Sequence, residues 1–362
     1  KLDDAEPLGK DNLERRTRVL GAEHDQTLAS MGRMAWVYQD RGQYEDAARM
    51  HRESIEIKKR TLGPTHRETI ESLSTFADLL EDMGMLEEAE TTIREAIDAA
   101  METVGPDETL TMSCQSILAS ILEEQGQYTE AESTARDVLA KKIRIFGEDH
   151  RETIVTMNVL ALTIENVQKY DEAAELLGKA TTKAEAIFGP DNDSTLAYKG
   201  NYARALHLQK NYDEAARVFG EVLEAHRRMD GPDAQSTLVV QNNYALMLLD
   251  IKRPEEAQKL FADMVPRLDR VMPEGHWIMG QARVNLGESL KDLQRYDEAV
   301  AAMTQGYEKL QASLGPDHDR VRKTAASIAD LYQAWGKADE ERTWRVKAQP
   351  AAAAATTAPA NP

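Results

Sequence analysis

Five of the eight histidines in this sequence stand at one equivalent position of a repeated pattern, where a row of imidazoles could bind metal ions or exchange protons. They are His24, His66, His150, His276 and His318. A metal ion needs several ligands within about 2–2.6 Å, whereas this pattern supplies one histidine per repeat. The same position also takes an acid, an amide and an alanine: Glu108, Asn192 and Ala234. We therefore interpret these histidines as loop-packing residues and predict no metal site.

No other group of residues forms a recognisable catalytic or cofactor site. The single cysteine, Cys114, is expected to be a partly buried and inert thiol. The Gly-Pro-Asp runs that begin at residues 105, 189, 231 and 315 lack the alternating oxygen ligands and the closing glutamate of a calcium loop. A phosphate-binding glycine-rich loop is also absent from the sequence. We predict that this chain is not an enzyme and binds no cofactor.

The feature that must position every side chain is a repeat of 42 residues, without insertion or deletion. The loop that opens each copy begins at Gly21, Gly63, Gly105, Gly147, Gly189, Gly231, Pro273 and Gly315. Such regularity predicts a row of identical supersecondary units that bury their apolar faces against their neighbours.

Each copy is predicted to form two amphipathic helices, A and B. A threonine recurs six residues after the first loop residue, as in Thr27 and Thr69, and we expect its hydroxyl to cap helix A. Within helix A a small residue, alanine in every copy but the one with Gly287, lies between large apolar residues, so that a neighbouring helix can approach. A short turn, with glycine as at Gly42 and Gly126, ends helix A before helix B begins.

The pattern apolar-x-x-Ala-x-x-[Tyr/Leu], followed by Gly-x-Tyr-x-x-Ala, resembles the tetratricopeptide repeat (TPR), whose basic unit has 34 residues. The eight additional residues, with a Leu-Gly-Pro-x-His loop as at 62–66, resemble the longer repeat of kinesin light chains and of many bacterial proteins. Where that family often has proline after the loop histidine, this chain has Asp25, Arg67, Arg151 or Asp319. The resemblance implies an all-α fold, a right-handed superhelical solenoid of antiparallel helix pairs, that binds other proteins.

The register of the repeat predicts the domain organisation. Residues 1–20 match helix B of a preceding repeat whose helix A is missing, so we expect the chain to be a piece of a longer protein. Residues 21–348 are predicted to form one TPR solenoid of seven full repeats and a degenerate eighth repeat that caps it. In that eighth repeat Ala338 and Glu341 replace the expected tyrosine and alanine. Residues 349–362, rich in alanine, proline and threonine, are predicted to be a disordered tail.

The composition limits the possible partners. With 63 acidic and 44 basic residues the net charge is −19, which disfavours nucleic acid and anionic membranes as partners. The longest apolar stretch, residues 154–164, is too short to span a bilayer, and one cysteine excludes an intramolecular disulfide. We expect a cytoplasmic protein, and a monomer, because its charge opposes self-association.

The TPR resemblance also implies which surface binds a partner. In TPR arrays helix A lines a concave groove through the positions −3, +1, +4 and often +5 relative to the small residue. In the second to fourth repeats these positions form an acidic wall: Asp78, Glu81, Asp82, Glu123, Glu124 and Glu165. Arg204 and His207 interrupt the acidic character in the fifth repeat, and Asn158 and Asn242 are expected to bind the backbone of a bound segment. Alternatively, the acids are a solvated face that keeps the solenoid soluble.

Three functions remain open at this stage. The first is a protein-interaction scaffold that binds a peptide or helix, with a basic segment in its acidic half. The second is a non-catalytic docking or regulatory arm of a larger bacterial enzyme, such as a serine/threonine kinase with its catalytic domain upstream. The third is self-assembly, which the decayed last repeat and the net charge of −19 disfavour.

Overall fold

The structure, a computed structural model, describes residues 5–349. The predicted disordered tail lies outside these described residues, except for Gln349. Between residues 5 and 349 the chain forms helices and no strand, so the predicted all-α fold is confirmed. The A helices are α2 (Asp25–Asp40), α4 (Arg67–Asp82), α6 (Thr109–Glu124), α8 (Arg151–Asn166), α10 (Asp193–Leu208), α12 (Gln235–Asp250), α14 (Ile278–Asp292) and α16 (Asp319–Trp335). The B helices are α1 (Ala5–Leu20), α3 (Tyr44–Thr61), α5 (Leu86–Thr103), α7 (Tyr128–Phe146), α9 (Tyr170–Phe188), α11 (Tyr212–Met229), α13 (Pro254–Val271), α15 (Tyr296–Leu314) and α17 (Ala338–Lys347).

The chain divides into two compact units, the first ending at Ile187 and the second beginning at Phe188. In the first unit the helices from α1 to α8 each pack against the next one along the chain. In the second unit the same holds from α10 to α17. Because each helix contacts its neighbours in sequence, each unit is a stack of antiparallel helix pairs, as in a TPR solenoid.

The small residue of helix A is buried in every helix pair. Ala77 is fully buried between Phe76 and Leu80, which are also buried. The small residues equivalent to Ala77 in the other repeats are likewise buried. A larger side chain at this position would push the neighbouring helix away, which explains why the sequence keeps it small.

Helices α14 and α15 approach each other closely at three glycines. A Cβ atom on Gly280 would lie 2.8 Å from the carbonyl oxygen of Gly306, and one on Gly306 would lie 2.7 Å from that of Gly280. A Cβ atom on Gly287 would overlap the side chain of Met303. Gly280 and Gly306 allow the two backbones to touch, and no larger residue fits at either position without moving a helix.

The turn between helices A and B needs a left-handed residue in every repeat. Gly42, Gly84 and Gly126 have φ values of 72°, 70° and 76°. Later repeats keep the same conformation without glycine, with φ of 60° at Gln168 and 58° at Gln294. The packing of the helices therefore imposes this left-handed conformation, and glycine only lowers the free energy needed to adopt it.

The expected capping of helix A by threonine is wrong. In five repeats the threonine lies inside the helix, and its hydroxyl donates back to the loop residue six positions earlier, as from Thr69 to the carbonyl oxygen of Gly63 at 2.8 Å. The cap is the loop histidine, because Nδ1 of His66 accepts a hydrogen bond from the backbone N–H of Glu68 at 3.3 Å. His24, His150, His276 and His318 accept in the same way.

The last helix pair departs from the repeat as its sequence suggests. Helix α17 is short and contributes one buried side chain, Trp344. The Trp344 ring packs edge-on against Tyr307 with 5.0 Å between centroids. Glu341, at the position of the usual alanine, is half-buried and forms an ion pair with Arg345 at 3.5 Å. Trp344 thus supplies the buried apolar contact of α17, and a charged side chain takes the position of the usual alanine.

Candidate functional site

The A face is defined here as the side chains at positions +1, +4 and +5 of the A helices, in each unit separately. Its predicted acidic residues lie in α4, α6 and α8 of the first unit. Asp78, Asp82 and Glu124 are exposed, and Glu81 and Glu123 are half-buried. Glu165 is only 8% exposed. The first five of these carboxylates are therefore accessible to a partner, whereas Glu165 is largely covered.

A recurrent hydrogen bond joins neighbouring A helices across the A face. Where it forms, the residue at +4 contacts the residue at +5 of the next repeat, 43 positions further along the chain. In the first unit Gln39 donates to Asp82 at 2.9 Å, and Asn166 donates to Glu123 at 2.9 Å. Thr163 donates to the other oxygen of Glu123, also at 2.9 Å. These bonds fix the carboxylates of Asp82 and Glu123.

Glu81 and Glu124 occupy the same pair of positions, yet both are acids and cannot form this bond when both are ionised. Burial raises the pKa of Glu81 above its usual value of 4.5, and the charges of Glu124, Asp78 and Asp82 raise it further against the lowering effect of a hydrogen bond from Ser120. Burial and the charge of Asp82 also raise the pKa of Asp78. The negative charges of this cluster thus repel one another, and a cation placed among them would relieve that repulsion.

In the second unit the A face has a different character. Nε2 of His207 lies 2.7 Å from Oδ2 of Asp250, which completes the same link between positions +4 and +5. The His207 ring also contacts Tyr212, with 5.8 Å between centroids. Leu246, at +1 in α12, is 40% exposed. Arg204 is exposed as well, so this A face is mixed and more apolar, in line with the sequence.

The two asparagines predicted to bind a backbone differ in accessibility. Asn158 is 9% exposed and takes part in contacts within the protein. Asn242 is half-buried, and its side-chain amide donates to Asn243 at 3.4 Å. Their hydrogen bonds to a bound segment stay a prediction.

One residue of the A face was missed by the sequence reasoning. Trp36 occupies position +1 of α2, next to the small Ala35, and is 61% exposed. The sequence contains the signal that identifies it. Trp36 directly follows the small residue Ala35, just as the predicted Asp78 directly follows Ala77. A tryptophan so exposed on a face rich in carboxylates is a candidate contact residue.

The structure explains the recurrent loop histidines and the single cysteine without a metal site or a catalytic role. The loop histidines cap helices, as described above, and no group of three potential metal-binding side chains occurs within residues 5–349. Cys114 is fully buried, and burial raises the pKa of its thiol. A thiol that is buried and protonated is a poor nucleophile.

The comparison with protein families agrees with this geometry. A family model described as tetratricopeptide repeat matches residues 1–60, 107–182, 160–228, 200–267 and 279–345. The chain belongs to the tetratricopeptide repeat family. TPR folds generally mediate interactions between proteins, and TPR proteins are generally non-catalytic scaffolds. No similar sequence was found among curated proteins.

Several solved structures share the TPR fold with this chain. The TPR-like repeats of a kinesin light chain-type protein of Podosopora anserina are 20% identical, with a TM-score of 0.53 over 57% of this chain and 98% of theirs. BtubC of P. vanneervenii is 20% identical, with a TM-score of 0.55 over 64% of this chain and 93% of its own. A signal transduction ATPase with numerous domains (STAND) and a TPR sensor, from Pyrococcus horikoshii, is 12% identical. That match has a TM-score of 0.59 over 95% of this chain and 50% of the ATPase.

These similarities confirm the predicted kinesin light chain-like TPR fold, but they do not identify a partner of this chain. Among the described helices, none is long and apolar enough to cross a membrane. The predicted monomeric state and cytoplasmic location stay predictions.

Proposed function

We propose that this TPR protein is a protein-interaction scaffold whose A face in the first unit binds a peptide or helix rich in lysine and arginine. The observation that carries this proposal is a contrast between two sets of acids. In the first unit, within the described residues, none of the five predicted A-face carboxylates that are exposed or half-buried forms an ion pair: Asp78, Glu81, Asp82, Glu123 and Glu124.

In the B helices of the same unit, by contrast, one row of glutamates is paired with arginines of the chain itself. An arginine of one B helix pairs with a glutamate 36 residues further on, in the next B helix. These pairs are Arg52 with Glu88 at 2.9 Å, Arg94 with Glu130 at 2.8 Å and Arg136 with Glu172 at 2.7 Å. If the A-face acids served solubility alone, nothing would require all five of them to lack an ion pair while this row of B-helix glutamates has one. The difference supports a basic partner on the A face.

The proposal is tested with a fluorescein-labelled Gly-Arg-Gly-Arg-Gly-Arg-Gly peptide and its counterpart with glutamate in place of arginine. Fluorescence anisotropy at 50 and 150 mM NaCl gives the affinities. We expect the wild type to bind the arginine peptide more tightly than the glutamate peptide, and less tightly at the higher salt concentration. The double variant Glu81→Gln/Glu124→Gln should bind the arginine peptide about three- to tenfold more weakly, since an exposed ion pair contributes about 0.2–1 kcal/mol.

The matched control removes the same charge from another face. Glu53 and Glu56 lie on α3, are exposed and form no ion pair within the described residues. Glu53→Gln/Glu56→Gln should bind like the wild type. Equally weak binding of both peptides by the wild type would contradict the proposal. An equal loss of affinity for the arginine peptide in the two double variants would also contradict it.

A second candidate is that these repeats form the sensing or docking arm of a larger enzyme. What supports it is the STAND ATPase, in which a TPR sensor accompanies other domains and this chain matches half of the protein. The coding DNA upstream of Lys1 tests this candidate. A reading frame that continues into kinase or ATPase motifs would support it, and a start codon one helix upstream would contradict it.

A further inference from the structure

The four tryptophans of this protein differ in what lies over their rings. Three carry a cation from the chain itself: Arg320 lies 4.0 Å from the ring centroid of Trp277, Lys337 lies 3.5 Å from that of Trp335, and Lys347 lies 4.0 Å from that of Trp344. The fourth is Trp36, and no lysine or arginine of residues 5–349 lies over its ring. It is also far more exposed, at 61%, than Trp344 at 9%.

The space beside Trp36 is open. Gly32 lies one turn earlier on the same side of α2, and a Cβ atom placed on it would meet nothing within 4 Å. The nearest cation in sequence, Arg33, donates to the hydroxyl of Ser30 at 3.1 Å instead of covering the ring. An indole with a glycine on its open side presents a flat π surface that a long side chain can reach from solvent.

The charges around Trp36 on the A face are negative. Asp40 follows it by one turn on α2 and is exposed. Asp78 holds the same position +1 in the next A helix, α4. The hydrogen bond of 2.9 Å from Gln39 to Asp82 joins these two helices just beyond Trp36. A cation that rests on this indole therefore also lies in the field of several carboxylates, and both effects favour the same ligand.

We propose that Trp36 is the anchor for one lysine or arginine side chain of the partner, stacked on the indole and extending over Gly32. This inference rests on the proposed function and deepens it. It names one residue of this chain that a basic segment contacts, and it adds an aromatic contact to those of the acidic wall. The charge then faces Asp40 and Asp78.

The direct test follows the indole N–H signals of the four tryptophans in a ¹⁵N-labelled protein by NMR. Arginine amide is the probe, and citrulline amide, which replaces the guanidinium by a neutral urea, is the control. The signal that disappears in Trp36→Leu belongs to Trp36. We expect this signal to shift with arginine amide, to stay in place with citrulline amide, and to move more than the signals of the three covered indoles.

The second test measures the labelled arginine peptide on variants. Trp36→Leu should bind it about three- to tenfold more weakly, and Trp36→Phe should fall in between, in keeping with about 0.5–1 kcal/mol for an exposed cation–π contact and up to about 2 kcal/mol when it is desolvated. Leu246→Ala, at the same helix position in α12, is the matched control and should bind like the wild type. Because Trp36 is exposed, its substitution should leave the melting temperature nearly unchanged.

Each outcome separates this inference from the proposed function. If the wild type binds the arginine peptide and Trp36→Leu binds it equally well, or if the Trp36 signal does not move, the tryptophan anchor is overturned and the basic-partner proposal stands. If Trp36→Leu weakens binding and Glu81→Gln/Glu124→Gln does not, the anchor stands and the role of the acidic wall is overturned. A wild type that binds neither arginine amide nor the peptide overturns both.

Discussion

Asn166 of α8 donates a hydrogen bond of 2.9 Å to Glu123 of α6, 43 residues earlier in the chain. The same pair of positions is bonded between Gln39 and Asp82, whereas between α4 and α6 it holds two acids, Glu81 and Glu124. The link forms at three steps of the repeat, and at the step between α4 and α6 the chain has two acids in its place. Two acids at these positions repel one another where other repeats have a bonded pair, and such a local loss of stability is compatible with a surface used for binding.

Restoring the link should stabilise the protein. In Glu124→Gln the side-chain amide can donate to Glu81 in place of the repulsion between two carboxylates. We expect the free energy of unfolding in urea at pH 7 to rise by about 1 kcal/mol. Glu53→Gln, which removes one acid from α3, serves as the control and should change it by less than about 0.5 kcal/mol. A loss of stability in Glu124→Gln would show that the two carboxylates do not repel one another.

The same variant should change the dependence of stability on pH. Because burial and then neighbouring acids raise the pKa of Glu81 above 4.5, the folded protein holds this proton more tightly than the unfolded chain does. The repulsion therefore destabilises the folded state above that pKa and fades as the pH falls below 4.5. The gain from Glu124→Gln should be full at pH 7 and mostly lost at pH 3.5. An equal gain at both pH values would contradict this account.

The sequence was sufficient to predict the fold because the fold is periodic. A pattern repeated every 42 residues averages out local ambiguity, so the helix pairs, the turn residues and the buried alanines follow from one register. The N-cap assignment failed for a local reason. Thr69 and His66 are both polar and lie three residues apart, and only the backbone conformation decides which one lies outside the helix. Propensity favours threonine over histidine as a cap, and here the loop geometry prevails.

The sequence predicted which residues form the candidate site, but it did not predict the contacts that their side chains make. The register placed Asp78 and Glu81 on the A face, but it could not show that Asn166 and Thr163 hold Glu123, since those bonds depend on side-chain rotamers. Nor could it show that a row of B-helix glutamates is paired with arginines, whereas the five accessible A-face acids of the first unit form no ion pair. That contrast requires contacts between residues 36 and 43 positions apart, which only the packed helices define.

The caps predict a gain and a loss of stability at equivalent positions. Ala234 precedes α12 and makes no side-chain cap, whereas Asn192 caps α10 by accepting from the N–H of Ser194 at 3.0 Å. Ala234→Asn should therefore raise the free energy of unfolding by about 1 kcal/mol, and His66→Ala should lower it by a similar amount. His66→Asn should restore the value of the wild type. Urea denaturation measures all three variants, and no change in either Ala234→Asn or His66→Ala would refute the capping role.

The left-handed turn residues offer a second matched pair. Gln168 and Gln294 have φ of 60° and 58° where other repeats have glycine. Replacing either by glycine should stabilise the protein by about 0.5–1 kcal/mol, because a side chain is strained in this conformation. The reverse change Gly84→Gln, at φ 70°, should destabilise it by about as much. Thermal unfolding followed by circular dichroism tests both directions, and a loss of stability in the glycine variants would mean that their flexibility outweighs the relief of strain.

The contact of α14 with α15 predicts the largest effect of a single methyl group. A Cβ atom at Gly280 or Gly306 would lie within 3.0 Å of backbone atoms of the facing helix, which cannot yield without moving that helix. Gly306→Ala should therefore cost about 1–3 kcal/mol or more. Gly200→Ala is the matched control, since it lies in a helix with open space around its Cβ and should stabilise the protein by about 0.5–1 kcal/mol. Opposite signs for the same substitution would show that backbone contact, and not helix propensity, fixes glycine at Gly306, and a gain at both sites would refute the contact.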